Sequence, residues 1–138
     1  MRVSLDTNVL VSATATRGIC ADILHLILAE HQLVLGETVL GELRRILQEK
    51  FRVPDDLALE TEQFLRREAV IVTTAPALGI RIRDKDDVAV LEEAVAGEAA
   101  VLVTGDADLL DVAESAPLRI LSPRSFWDSL RSGELPEE

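Results

Sequence analysis

Ala100–Val101–Leu102–Val103–Thr104–Gly105–Asp106–Ala107–Asp108–Leu109–Leu110 passes from an apolar strand through a polar turn into a helix. The strand, Ala100–Thr104, carries β-branched side chains that suit a buried, pleated surface. Gly105 would permit a sharp turn at the strand end. Asp106 then either caps the short helix Ala107–Glu114 or points over the end of the sheet, and Thr104 and Asp108 stand close enough to join the same site. The N-terminus also passes from a strand into a polar segment. Arg2–Asp6 reads as a strand that closes on Asp6–Thr7–Asn8, which offers either a chain reversal or a carboxylate and an amide at a strand end.

Between these two segments strand and helix alternate. Ile19–Glu30 puts Ile23, Leu24, Ile27 and Leu28 on one helical face. Gln32–Leu35 is a short strand, and Glu37–Lys50 a helix striped by Val39, Leu40, Leu43, Ile46 and Leu47. Pro54 suits the first turn of a helix running to Glu68. Val70–Thr73 is a strand, Thr74–Arg83 is irregular, and Asp84–Ala96 is a helix ended by Gly97. Leu118–Leu121 is a fifth strand, and Pro123–Arg131 a last helix anchored by Phe126 and Trp127. Such alternation predicts an α/β fold with a mostly parallel sheet covered on both faces. Ligands bind such sheets beyond the carboxyl ends of the strands, at a switch in strand order, and Asp6 and Asp106 both fall at carboxyl ends.

The chain has 138 residues, which is most simply one domain. That domain is expected over residues 1–132, with residues 133–138 as a disordered acidic tail. Only 3% of residues are aromatic against 48% hydrophobic, so the core must be aliphatic. No apolar run approaches the ~20 residues of a membrane span, and no signal peptide is evident, so no membrane partner is expected and a cytoplasmic address is the default. A single cysteine, Cys20, excludes an internal disulfide and a cysteine-cluster metal site. A net charge of −11 argues against non-specific electrostatic binding of nucleic acid, though not against a nucleic-acid enzyme that offsets its acids with metal ions.

Two further acids sit beside apolar stripes. Glu42 borders the stripe of its helix, where it either pairs with Arg45 or faces a site. Asp87 lies on the face shared by Leu91 and Ala94, where it either completes a capping box with Asp84 as N-cap or needs a cation or hydrogen bonds. Asp86 reads as solvent-facing. If the fold gathers Asp6, Glu42, Asp87 and Asp106 they repel one another, and a hard cation is the usual remedy. Rival chemistries lack their parts. His25 and His31 have no second ligand at metal spacing, there is no glycine-rich phosphate loop, and no serine occupies a nucleophile elbow.

The motifs Leu5–Asp6–Thr7–Asn8–Val9–Leu10, Thr38–Val39–Leu40–Gly41–Glu42–Leu43, Asp84–Lys85–Asp86–Asp87, Thr104–Gly105–Asp106–Ala107–Asp108 and Leu121–Ser122–Pro123–Arg124–Ser125–Phe126, in this order, resemble the PIN-domain ribonuclease family. The closer similarity is to its bacterial and archaeal branch of toxin components of toxin–antitoxin systems. The resemblance implies a three-layer α/β/α sandwich around a sheet of about five strands. It implies an RNA substrate cut with Mg²⁺ or Mn²⁺, an inhibiting antitoxin protein and a homodimer. It puts Asp6, Glu42, Asp87 and Asp106 on the catalytic, metal-binding positions and Asn8, Thr104, Asp108 and Asp84 in a supporting tier. One departure is Gly36, where the branch often has a serine ahead of the glutamate-bearing helix.

An all-oxygen ligand set favours Mg²⁺ or Mn²⁺, one or two ions, over Zn²⁺. Arg17, Arg81, Arg83 and Lys85 are candidate phosphate contacts, and Arg44, Arg45, Lys50 and Arg52 form a further basic run that could meet phosphate or antitoxin. Two other readings stay open. One is an Asp-based phosphatase or phosphoacceptor domain, although Asn8 stands where a phosphatase wants its second aspartate. The other is a non-catalytic interaction module on the same fold.

Overall fold

The computed structural model describes residues 1–135. Five strands, β1 (Arg2–Leu5), β2 (Gln32–Gly36), β3 (Val70–Val72), β4 (Val101–Val103) and β5 (Arg119–Leu121), form one parallel sheet in the order β3-β2-β1-β4-β5. Helices α1 (Thr7–Ala15), α2 (Ile19–Glu30), α3 (Glu37–Glu49), α4 (Asp55–Glu68), α5 (Lys85–Ala96), α6 (Ala107–Leu110) and α7 (Pro123–Arg131) flank it. The three-layer α/β expectation therefore holds. The core is aliphatic as composition required, with Leu5, Leu10, Ile23, Ile27, Leu33 and Leu102 fully buried and Phe126 its large aromatic anchor. Among the described residues no single helix is long and apolar enough to cross a membrane.

The chain runs outward from β1 to β2 and β3, then crosses back to β4 on the other side of β1. The switch point thus lies between β1 and β4. Their register pairs Leu5 with Val103, so the residues that follow, Asp6 and Thr104, emerge side by side.

Several elements differ from the sequence expectation. Helix α1 was not anticipated: Val9, Leu10 and Val11 are consecutive buried residues and show no helical stripe. Packing against α2 and α3, not propensity, sustains it. Gly97 ends α5 without the left-handed conformation expected of a terminating glycine; its φ is −80°, and Glu98 takes the left-handed position at φ 59°. Glycine is needed at 97 for closeness instead, because a Cβ there would lie 2.3 Å from Val34 Cγ1. The helix expected over Ala107–Glu114 is split into α6 and a 3₁₀ turn at Ala113–Ser115. The start of the expected tail is folded: the Glu134 N–H donates to the Ser129 carbonyl at 3.0 Å, and Leu135 is buried. Residues 136–138 of that tail lie outside the described residues.

Candidate metal centre

The site begins with the β1–β4 pair. The Asp6 N–H continues the ladder to the Val103 carbonyl at 3.1 Å, and the Thr104 N–H does the same to Leu121 at 2.9 Å. The Thr104 hydroxyl, fully buried, donates to Asp6 Oδ2 and accepts the Asp106 N–H at 3.0 Å. Asp6 Oδ1 accepts the Val9 N–H at 3.0 Å, capping α1. Both oxygens of Asp6 are thereby oriented. One threonine hydroxyl links the two strand-end acids.

Capping and site membership are not alternatives here. Asp106 caps α6 through the Asp108 N–H at 2.8 Å, and Asp84 caps α5 through the Asp86 N–H at 2.8 Å. Each aspartate has two oxygens, so holding a helix terminus with one leaves capacity in the other. Asp87 behaves differently. Its Oδ2 is buried and has no hydrogen-bond partner among the described residues, so the capping-box reading fails for that oxygen.

An open cavity of about 120 Å³ lies over this strand edge, lined by Asp6, Thr7, Asn8, Glu42, Asp84, Asp86, Asp87, Val90 and Asp106. All four acids from distant parts of the sequence meet there, with Asn8 and Asp84 beside them. No basic side chain is among the lining residues. Oxygens of Asp87, Asp106 and Asp108 lie within 4.8 Å of one another, close enough for joint coordination. Asp108, expected in a supporting tier, thus approaches Asp87 and Asp106 without lining the cavity itself.

Crowding leaves its mark on proton affinity. Burial, followed by the charges of Asp106 and Asp84, pushes the Asp87 carboxyl up to about 7. Asp6 is also raised, chiefly by burial and against the pull of its Thr104 and Val9 hydrogen bonds. Glu42 is raised by burial and next by Asp86, with Arg45 opposing. Burial raises the Cys20 thiol, and the charge of nearby Asp6 adds to the rise.

Some expectations do not reach the site. Arg17, Arg81, Arg83 and Lys85 are exposed and do not line the cavity. Arg45 pairs with Glu49 at 3.3 Å, not with Glu42, and Arg44 approaches Glu62 at 3.8 Å. Other residues were missed. Asp86 is exposed, as expected, yet lines the cavity mouth opposite Glu42, and Thr7 and Val90 complete the wall. Nothing local distinguishes Asp86 from any acid in a first helical turn; only the packing of α3 on α5 assigns it a role.

A parallel sheet whose switch point carries a cavity of clustered carboxylates defines an α/β protein with an acidic candidate site at the carboxyl edge of its sheet. The model of the family described as PIN domain matches residues 2–108, and the chain belongs to that family. The chain is similar in structure to VapBC2 from Rickettsia felis, solved bound to a DNA fragment from its promoter (TM-score 0.62, 18% identity, 88% of this chain and 98% of that one). It is similar to VapBC-1 from nontypeable Haemophilus influenzae (TM-score 0.64, 17% identity, 90% and 99%). It is also similar to FitAcB from Neisseria gonorrhoeae (TM-score 0.56, 16% identity, 88% and 98%). At these identities the likeness is one of fold. No curated protein sequence matches the chain significantly.

Proposed function

We propose that the protein is a metal-dependent ribonuclease that hydrolyses RNA phosphodiester bonds, and that it serves as the toxin of a toxin–antitoxin pair in the cytoplasm. The observation that carries this reading is the unpartnered, buried Asp87 Oδ2 in a cavity lined by six carboxylates. A buried anion without a donor is costly, and these groups match the all-oxygen ligand set that Mg²⁺ or Mn²⁺ takes. Asp6, Asp87 and Asp106 would hold the ion, with Glu42 completing the set and Asp108 within reach. When bound, the cation neutralises charge on the phosphate and acidifies a water for in-line attack.

The chain's own residues supply the rest. Thr104 fixes the Asp6 carboxylate and the Asp106 backbone together, so the strand-end acids keep their spacing. Asp106 or Glu42 accepts the proton of the attacking water. Asn8 offers an amide to the substrate at the cavity wall. Arg17, Arg81, Arg83 and Lys85, all exposed, contact phosphates further along the RNA. An antitoxin protein and a homodimer follow from the same family reading, and the likeness to VapBC and FitAcB toxin–antitoxin complexes supports the antitoxin.

The test is RNA cleavage with Mn²⁺ and with EDTA. The parent protein is expected to cut only with metal, and Asp6→Asn to stay folded by circular dichroism while losing cleavage. An Asp6→Asn preparation that cuts as fast as the parent refutes the assignment. Metal binding without cleavage of any RNA points to a non-catalytic module instead.

A further inference from the structure

Helix α3 carries Glu42 into the cavity, yet its own first turn lacks a cap. Gly36 occupies the N-cap and has no side-chain oxygen to give. The missing acceptor comes from another helix. Glu93 of α5, at the edge of full burial, accepts the Thr38 N–H at 3.3 Å on Oε1 and 3.4 Å on Oε2, and the Thr38 hydroxyl at 2.9 Å on Oε2. Thr38 is the second residue of α3, whose N–H an N-cap serine would ordinarily take. The exchange is also steric. A Cβ on residue 36 would lie 2.0 Å from Glu93 Oε1 and 2.6 Å from Glu93 Cβ. The carboxylate could swing away from such a contact, but its Cβ could not move without the helix.

The position of this bond matters for the cavity. Thr38 and Glu42 are four residues apart on α3, and Asp86 and Glu93 seven apart on α5, so each pair shares a helical face. The α3–α5 seam therefore has two ends. At one, Thr38 and Glu93 attract. At the other, Glu42 meets Asp86 and Asp84, which repel it. Glu93 is itself held up in proton affinity by burial, against the Thr38 hydrogen bonds, with Glu37 adding to the rise. Arg66 takes the Glu37 carboxylate at 2.7 and 2.8 Å and so draws that charge aside.

We infer that Glu93 is a positioning residue of the metal centre: it caps α3 from α5 in place of residue 36 and ties the two helices so that Glu42 stays opposite Asp86 and Asp87. This rests on the metal-centre reading for its consequence and on the Gly36–Glu93–Thr38 contact for its cause.

Two measurements on Gly36→Ser, Glu93→Gly and the double variant test it: thermal stability, and Mn²⁺ affinity from the free ion in an electron paramagnetic resonance titration. Gly36→Ser is expected to destabilise the parent, where its Cβ collides with Glu93, and to stabilise the Glu93→Gly background, where the serine can cap α3. That reversal of sign is independent of the helix cost of the new glycine, which is common to both members of the second comparison. Mn²⁺ binding is expected to weaken about 10- to 100-fold in Glu93→Gly, the range for losing a support of a metal ligand. It should stay weak in the double variant, because a local serine caps α3 without tying it to α5. If Glu93→Gly fails to fold, Glu93→Gln and Thr38→Val carry the affinity measurement, the first expected to bind Mn²⁺ close to the parent and the second more weakly. Additive stability effects, or Mn²⁺ affinity unchanged in Glu93→Gly or restored with stability in the double variant, overturn the inference alone. A parent protein that binds no Mn²⁺ overturns the metal-centre reading together with it.

Discussion

Three carboxylates of this protein do two things at once. Asp6, Asp84 and Asp106 each accept a backbone N–H at a helix start and each line the cavity. Asp87 lines the cavity too, but its Oδ2 caps nothing, and that makes it the sensitive group. With its carboxyl at about 7, protons compete with metal there up to neutral pH. Mn²⁺ affinity should therefore fall by up to about tenfold per unit as pH drops from 7 toward 5, a consequence of ligands having to deprotonate. Asp87→Asn should flatten that dependence and weaken Mn²⁺ binding, as isothermal titration would report. Gly105 makes a contrasting case. It seemed to permit the turn that aims Asp106, but its φ is not positive and a Cβ there would meet nothing within 4 Å. Gly105→Ala is accordingly expected to raise stability by about 0.4–1 kcal/mol through the unfolded chain, measurable by urea denaturation. A loss of stability would mean the turn needs glycine after all.

At the scale of elements, the helices were legible wherever one face alone is buried. The stripe Val39, Leu40, Leu43, Ile46 and Leu47 gave α3 away, and all five are buried. Helix α1 has no comparable stripe, so its apolar run was unreadable without its neighbours. The end of α5 shows the same limit in another form. Gly97 reads as a helix stop, yet closeness to Val34 and Val72 selects it, and the left-handed conformation falls to Glu98. A non-glycine residue in that conformation costs about 1 kcal/mol. Glu98→Gly should recover most of that. Its 3.5 Å ion pair with Arg2 is little to lose, because the Glu98 side chain is 82% exposed. A lower melting temperature in Glu98→Gly would show that the pair outweighs the backbone term.

At the scale of the whole molecule, Asp6, Glu42, Asp87 and Glu93 all have raised proton affinity in the fold, so the native state holds protons that the unfolded chain releases above pH 4–5. Stability of the metal-free protein must then fall as pH rises from 5 to about 7, and the net charge of −11 pushes the same way. Glu37, lowered by Arg66, contributes the opposite slope only below its ordinary value. In EDTA the melting temperature is expected to be lower at pH 8 than at pH 5. Mn²⁺ at a hundred times its Kd should restore about 2.7 kcal/mol at pH 8. A metal-free protein that is most stable at pH 8 would contradict the carboxylate crowding.

The sequence by itself determined the parallel α/β plan and the aliphatic core, and singled out four distant acids as candidates, because period, composition and residue type are local properties. It left open whether Asp6, Asp84 and Asp106 were caps or site residues, a question that dissolves once both oxygens of each carboxylate are placed. Only the tertiary structure decided that Thr104 joins Asp6 to Asp106, that Asp86 faces Glu42, and that Glu93 caps a helix 55 residues away at Thr38. Each of those depends on the register of β1 with β4 or the packing of α3 on α5. Contacts of that kind are made in space between segments that carry no mark of one another in the chain.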